Sequence, residues 1–267
     1  MTRIAHLSDL HFGAHDPALI APLLAAVAAA RPDLVVVSGD LAHRGTAAQF
    51  AQAGAFLAAL PAPWLCVPGN HDVPHFNPLL RLSDPWRRWR RAAGVQTQPD
   101  WQDRGAVVAG LCTADPRAWK RGRLGPQALA RLSGAFAQAG ARARVAVMHH
   151  PLEHAALNLD RLMHGAAETL AGLPATGAQV VLSGHVHVSF TGPFAAAPGV
   201  LFVQAGTALS TRRRGEANAF TLLDLARDRA QICVYHAGPA GFVAGLTADY
   251  ARVESGWFQR EMIDAQA

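Results

Sequence analysis

Five short apolar runs in this chain each end, on the carboxyl side, in a tight cluster of aspartate, asparagine or histidine. Run 3–8 leads into Asp9-Leu10-His11, run 34–38 into Gly39-Asp40, and run 64–67 into Gly69-Asn70-His71-Asp72. Further along, 144–148 gives way to His149-His150-Pro151, and 180–183 to Gly184-His185-Val186-His187. These runs are short and rich in β-branched residues, so they read as buried strands, and 106–112 is a further one of the same kind. Between the first three lie two Ala-rich segments that carry helix-start signals. Asp16 before Pro17 is a cap residue followed by proline at the first helical position. Thr46, with Gln49 three residues on, forms a capping box. The resulting β-α-β-α-β alternation requires crossover helices and parallel strands. In such sheets ligands bind beyond the carboxyl ends of the strands, which is where the polar clusters fall. The glycines beside them suit a chain that must turn sharply away from its strand.

The remaining layout follows the same signals. Helices are expected over 86–93, 126–139 and 157–173. The less regular stretch 75–104 reads as a cap-like insertion. Beyond 188 the helical pattern stops, and 200–204, 219–225 and 230–235 look like strands joined by turns. The second half is therefore expected to close with a largely antiparallel sheet. With 267 residues, 51% of them apolar, the chain is long enough to bury a core of its own. No composition shift divides it, so residues 1–267 are read as a single α/β domain of two sheets with helices outside. A C-terminal extension, 238–267, carries Tyr250, Trp257 and Phe258 and is expected either over the site or at a contact between subunits.

Composition excludes several classes. No apolar stretch reaches the roughly 20 residues needed to span a bilayer. The N-terminus runs directly into a strand, without signal- or transit-peptide features, so a cytoplasmic protein is expected. Cys66, Cys112 and Cys233 are odd in number and far apart, which indicates neither a disulfide framework nor a Cys-x-x-Cys metal site. The net charge is +5, and Lys120 is the one lysine. Arginine use in so Ala-rich a chain reflects coding bias as much as selection for a polyanion. The basic clusters at 87–91, 120–123 and 212–214 read first as solvated surface, though a basic face also attracts anions. With no helix-turn-helix, zinc-finger or RRM signature, specific nucleic-acid binding is not expected.

The clusters themselves have a coherent chemistry. Carboxylate oxygens and imidazole nitrogens suit Zn, Mn or Fe, and the lack of thiolates argues against a structural cysteine site. Asp9 and His11 are two apart, so extended backbone would point both side chains the same way, and His185 with His187 repeats the device. Each pair alone is a weak signal; five in order, each at a strand end, are a strong one.

The series Asp9-x-His11, Gly39-Asp40, Gly69-Asn70-His71-Asp72, His149 and Gly184-His185-x-His187 resembles the calcineurin-like metallophosphoesterase superfamily over residues 4 to about 190. Within it, 5–13, 68–72 and 206–212 resemble the bacterial class III cyclic-nucleotide phosphodiesterase-like branch. The resemblance implies a four-layer α-β-β-α sandwich, two mixed sheets flanked by helices, with a dinuclear metal centre. By position, one ion would take Asp9, His11 and His187. The other would take Asn70, His149 and His185, and Asp40 would bridge both.

The implied function is hydrolysis of a small phosphodiester, a 3′,5′-cyclic nucleotide among the options. Two ions about 3.5–4 Å apart clamp the phosphate and activate a bridging hydroxide for in-line attack. His71, next to a ligand without being one, is the candidate for protonating the leaving oxygen or stabilising the transition state. Asp72 either orients His71 or caps the turn. His6 reads as a hydrogen-bonded core residue and His150 as a support for His149. His43 is either a substrate contact or a plain loop residue. Trp86 and Trp89, three apart, read as an apolar anchor. The Trp86–Arg91 stretch also motivates an alternative, a hydrolase of lipid-linked phosphodiester or pyrophosphate with weak membrane-surface association. A non-catalytic metal-stabilised scaffold is the reading of another class, disfavoured because His71 is present. Homo-oligomerisation is compatible with the tail.

Overall fold

The computed structural model describes residues 1–94, 96–153 and 162–263. Six helices and thirteen strands are described. The first strand β1 (Thr2–Leu7) pairs in parallel with β2 (Leu34–Val37), and β2 with β3 (Trp64–Cys66). Helices α1 (Ile20–Ala30) and α2 (Ala47–Ala58) make the crossovers. Their starts are those the sequence marks. Asp16 accepts from the Ala18 amide ahead of Pro17, which opens a short 3-10 turn before α1. Thr46 accepts from the Gln49 amide while the Gln49 side chain reaches back to the Thr46 amide.

A second sheet repeats the pattern. Strands β5 (Ala106–Gly110), β6 (Ala143–Val147), β7 (Val180–Ser183) and β9 (Leu201–Gln204) run parallel to their neighbours. Short β4 (Asp100–Gln102) and β8 (Phe190–Pro193) add antiparallel edges. Helices α5 (Pro126–Phe136) and α6 (Ala166–Thr176) cover its outer face. The helix expected over 157–173 falls partly outside the described residues; its described part begins at Ala166, after Gly165 in left-handed conformation.

The layers follow from side-chain alternation. In β2, Leu34 and Val36 face the other sheet, joining Val108, Val145, Val147 and Leu182. Val35 and Val37 face the helices and join Leu23, Val27, Phe50 and Phe56. A strand buried on both faces has no polar positions, which is why it reads as an unbroken apolar run. The result is helix, sheet, sheet, helix, as the resemblance implied.

The second half closes with antiparallel strands over 219–263, as expected, but its first segment departs from the expectation. Segment 201–204 does not join an antiparallel sheet with its successors; it extends the second sheet in parallel. The chain then crosses back, and β10 (Ala219–Leu225) pairs antiparallel with β1 in the first sheet. Strands β11 (Arg229–Gly238), β12 (Gly241–Val253) and β13 (Gly256–Ile263) continue outward from it, giving seven strands in the order β13-β12-β11-β10-β1-β2-β3. Local pattern reveals a strand but not which sheet edge it will find. The described part of the tail lies at that edge. Trp257 is buried between the sheets with Nε1 donating to the Gln179 carbonyl at 3.0 Å, and the Tyr250 hydroxyl donates to the Thr191 carbonyl.

Helices α3 (Pro78–Ser83) and α4 (Arg87–Ala93) occupy the insertion. Trp89 is fully buried, edge-on to Phe50 of α2 at 6.4 Å between centroids, and Trp86 packs against the same cluster. Trp89→Ala would leave a large void there, with a cost of about 3–5 kcal/mol. Urea unfolding should show that loss; a change within the few-tenths range of a surface substitution would mean that α4 is not anchored through this ring.

Candidate metal centre

All the sequence clusters converge beyond the carboxyl ends of β1, β2, β3, β6 and β7. The backbone there is unusual. Asp9, His11, Asp40, His185 and His187 all have positive φ, between 49° and 74°, and Arg31 at the end of α1 is the one other non-glycine residue described so. The extended geometry expected for Asp9-x-His11 and His185-x-His187 is therefore wrong. Each chain leaves its strand through left-handed turns, and this turns the side chains inward. Non-glycine residues adopt that region at a cost of roughly 1–3 kcal/mol each, so tertiary bonds must hold them. The Asp9 amide donates to Gly39 O, His11 N to Asp40 O and Phe12 N to Leu41 O, which stitches the first loop to the second. Close approach also needs glycine. A Cβ on Gly69 would overlap the Asp40 carboxylate, and one on Gly184 would overlap Ser8 Oγ.

The two buried carboxylates divide their oxygens. Asp9 Oδ2 accepts from Ser8 Oγ at 2.6 Å and from the His185 amide at 2.8 Å. Its Oδ1 has no hydrogen-bond donor and lies 3.0 Å from His187 Nε2 and 3.5 Å from His11 Nε2. Asp40 Oδ1 accepts from the His71 amide at 2.8 Å. Its Oδ2 faces His11 Nε2 at 3.5 Å on one side and His149 Nε2 at 3.4 Å on the other. His185 Nδ1 stands 3.3 Å from His149 Nε2. Asn70 is buried, with Nδ2 donating to the Trp119 carbonyl and Oδ1 without a partner.

Outer contacts fix which imidazole nitrogen is free. A backbone carbonyl only accepts, so His187 Nδ1, at 2.6 Å from Arg212 O, carries hydrogen and leaves Nε2 to the centre. His149 Nδ1, 2.8 Å from Ser38 O, is fixed in the same way. Such carbonyl partners are the usual orienting groups behind metal-binding imidazoles.

The electrostatics call for positive charge. Burial opposes the ionised form of Asp9 and of Asp40, yet the surrounding imidazoles hold both well below the usual carboxylate range. Burial likewise opposes a charged His149, but the Asp40 carboxylate outweighs it and raises the group to about 9. For His185, burial and the neighbouring His149 act together and lower it to about 3, so it is a neutral ligand-type imidazole. Bare donor atoms crowd one another around two points: the ligand atoms of Asp9, His11 and His187 lie within 4.8 Å of one another, as do those of Asp9, Asp40 and His149. Orphaned Asp9 Oδ1 and Asn70 Oδ1, and imidazole nitrogens facing each other at 3.1 and 3.3 Å, are what cations would satisfy. The buried His and Asp clusters fit a binuclear metal site, and Asp40 Oδ2 lies between His11 Nε2 and His149 Nε2.

Around this set the structure resolves what the sequence left open. Asp72 accepts from Ala42 N at 2.8 Å and Gly69 N at 2.9 Å, which ties two loops together. It makes no bond to His71, so its catalytic role as an orienting group is corrected to a loop cap. Burial, with the nearby Asp40 charge, pushes it up to about 7. His71 instead directs Nδ1 to His43 O at 2.7 Å. Its Nε2 meets Arg212 Nη1 at 3.3 Å, on the pocket side. The His71 ring is stacked between His43 and His75, at 5.5 and 5.3 Å. The contact of Arg212 with His71 spans 141 positions and has no local mark in the sequence. His150 engages both ring nitrogens, with Thr113 Oγ1 and Lys120 O, and is no ligand. His6 is a core residue bonded to Ser38 Oγ at 2.8 Å.

Comparisons with known proteins show the family and the fold. A glycerophosphodiester phosphodiesterase, GpdQ, of Enterobacter lignolyticus is 29% identical over 166 residues, which is 55% of this chain. The match spans about 56% of that relative's length. Yellow lupin (Lupinus luteus) purple acid phosphatase PPD1 superposes with a TM-score of 0.68 at 12% identity, over 95% of this chain and 54% of that one. Vacuolar Protein Sorting 29 from Cryptosporidium parvum superposes at 0.54 with 13% identity, over 94% and 98%. A fold shared by a protein named a phosphatase and one named for sorting does not itself decide the chemistry. The profile of the calcineurin-like phosphoesterases matches residues 2–189, a span holding both sheets' carboxyl-end loops, and the chain belongs to that family.

Proposed function

We propose that the protein is a metal-dependent phosphodiesterase acting on a small phosphodiester. The observation that carries this is the position of His71: beside the candidate bridge Asp40, outside the ligand set, with Nε2 on the pocket side. Similarity to a phosphodiesterase over half the chain supports the same substrate class. Two ions held by Asp9, His11, Asp40, Asn70, His149, His185 and His187 would supply Lewis-acid polarisation of the phosphate and activation of water.

The chain's own groups supply the rest. A proton on His71 Nε2 would pass to the departing oxygen, with Nδ1 kept on the His43 carbonyl so that the ring cannot turn away. Arg212 Nη1 now donates to Nε2; an entering phosphate offers it a charged acceptor instead, which leaves Nε2 to take a proton from solvent and hold it for the departing oxygen. His43 and His75 hold the ring from both faces.

A second reading, action on a lipid-linked phosphodiester or pyrophosphate at a membrane surface, keeps arginines of the Trp86–Arg91 stretch but takes its apolar groups from elsewhere. Trp89 is buried and out of reach. Phe76, Leu79 and Leu82, however, are more than 70% exposed, and Leu79 shares a shallow depression with Arg87, Arg88 and Arg91. Among the described residues no helix is long and apolar enough to cross a membrane. Co-sedimentation with anionic phosphatidylglycerol vesicles, lost on Leu79→Ser with Leu82→Ser, would support the surface reading; equal and negligible binding to anionic and zwitterionic vesicles would dismiss it.

The principal reading is tested at His71. His71→Ala should keep its metal content by elemental analysis and lose about 10²–10⁴-fold in rate on diesters with alkoxide leaving groups. With bis-p-nitrophenyl phosphate, whose leaving group scarcely needs protonation, the loss should be much smaller. Full activity of the variant with every leaving group would remove His71 from the reaction.

A further inference from the structure

The pocket over the candidate metal centre, about 470 Å³, is lined by five cationic side chains, Lys120, Arg121, Arg212, Arg213 and Arg214, and by one carboxylate, Asp40. Elsewhere among the described residues some arginines are paired, Arg3 with Asp224, Arg90 with Asp84, Arg131 with Asp100 and Arg229 with Asp249, while others, such as Arg44 and Arg87, are not. Among the described residues none of the five in the pocket has a carboxylate within ion-pair distance. The acids nearest in sequence are committed elsewhere. Glu216 accepts from the Ser189 amide at 2.6 Å and faces His236, while Asp115 pairs with Arg123.

Nor are these cations on loose loops. The Arg212 carbonyl receives His187 Nδ1, and its amide donates to Ser210 Oγ, while Asn218 Nδ2 donates to the Ser210 carbonyl. Across the pocket the Lys120 carbonyl is held by buried His150, and Arg121 Nε donates to the Leu162 carbonyl at 2.8 Å, which leaves its terminal nitrogens for the pocket. Two separate loops, one tied to His187 of the centre and the other to His150 beside His149, therefore aim positive charge at one cavity.

One phosphodiester carries one negative charge. The two metal ions and Arg212 already answer it. Four more unpaired cations in the same cavity repel one another unless a further anion joins them. Coding bias toward arginine explains their number but not their convergence on one cavity with a single carboxylate in its lining. Building on the phosphodiesterase reading, we infer a second phosphate subsite formed by Lys120, Arg121, Arg213 and Arg214. The substrate is then a phosphodiester whose retained or departing half bears another phosphate group. Guanidinium groups suit such a group because their paired N–H donors match phosphate oxygens.

The test is calorimetric binding to the Mn-loaded protein, with adenosine 5′-monophosphate and adenosine 3′,5′-bisphosphate as the probes. The bisphosphate should bind on the order of 10- to 100-fold more tightly, the worth of one or two charge-assisted hydrogen bonds. Arg213→Ala with Arg214→Ala, both at exposed positions, should reduce that ratio to near one while the monophosphate affinity and the metal content stay. Arg121→Ala should lower it in part. Equal affinities in the unmodified protein, or a preference that survives loss of these arginines, would overturn the subsite. The affinity ratio reads the subsite alone, whereas turnover of bis-p-nitrophenyl phosphate reads the reaction, so failure of one is distinct from failure of the other.

Discussion

Two buried carboxylates each use one oxygen to fasten protein and present the other to the centre, and the site depends on that division. Asp9 Oδ2 binds the first loop to the loop of His185, and Asp40 Oδ1 holds the backbone of His71. Oδ1 of Asp9 and Oδ2 of Asp40 are thereby fixed among imidazole nitrogens supplied by both sheets. A carboxylate with both oxygens committed to backbone, as Asp72 has, ties loops but presents nothing. The same residue type thus serves as ligand or as cap according to how many amides reach it.

The fold makes that arrangement affordable in energetic terms. Five left-handed non-glycine residues are unfavourable individually. They persist because each follows a strand buried on both faces, in a sheet whose neighbours cannot shift without disturbing the core between the sheets. The strand ends of β1 and β2 are further joined by the amide bonds from Asp9, His11 and Phe12. Strain of this kind is stored where the chain must aim side chains inward, and among the described residues Arg31 is the one other non-glycine residue in the left-handed region.

Much of this was legible in the sequence for physical reasons, and the rest was not. Strand β2 and the capped start of α2 are written locally, as an apolar run and as Thr46 with Gln49, so they could be read. The placement of Asp9, His11, Asp40, Asn70, His149, His185 and His187 at strand ends was readable too, because a parallel sheet sends all such ends to one side. Backbone hand was not: Asp-x-His carries no mark that separates extended from left-handed geometry. The return of β10 to β1 was hidden because strand pairing is decided by non-local packing. Arg212 against His71, and Asp72 reaching Ala42 rather than its neighbour His71, are likewise tertiary contacts without a local signature.

In the proposed centre Asp40 would lie between two cations. Electron paramagnetic resonance of the protein titrated with Mn(II) tests it most directly, because a shared carboxylate couples the spins of the ions it bridges. Saturation at two ions per chain with an exchange-coupled spectrum is the expected result. Saturation at one ion, or two ions with the spectrum of isolated Mn(II), would contradict it.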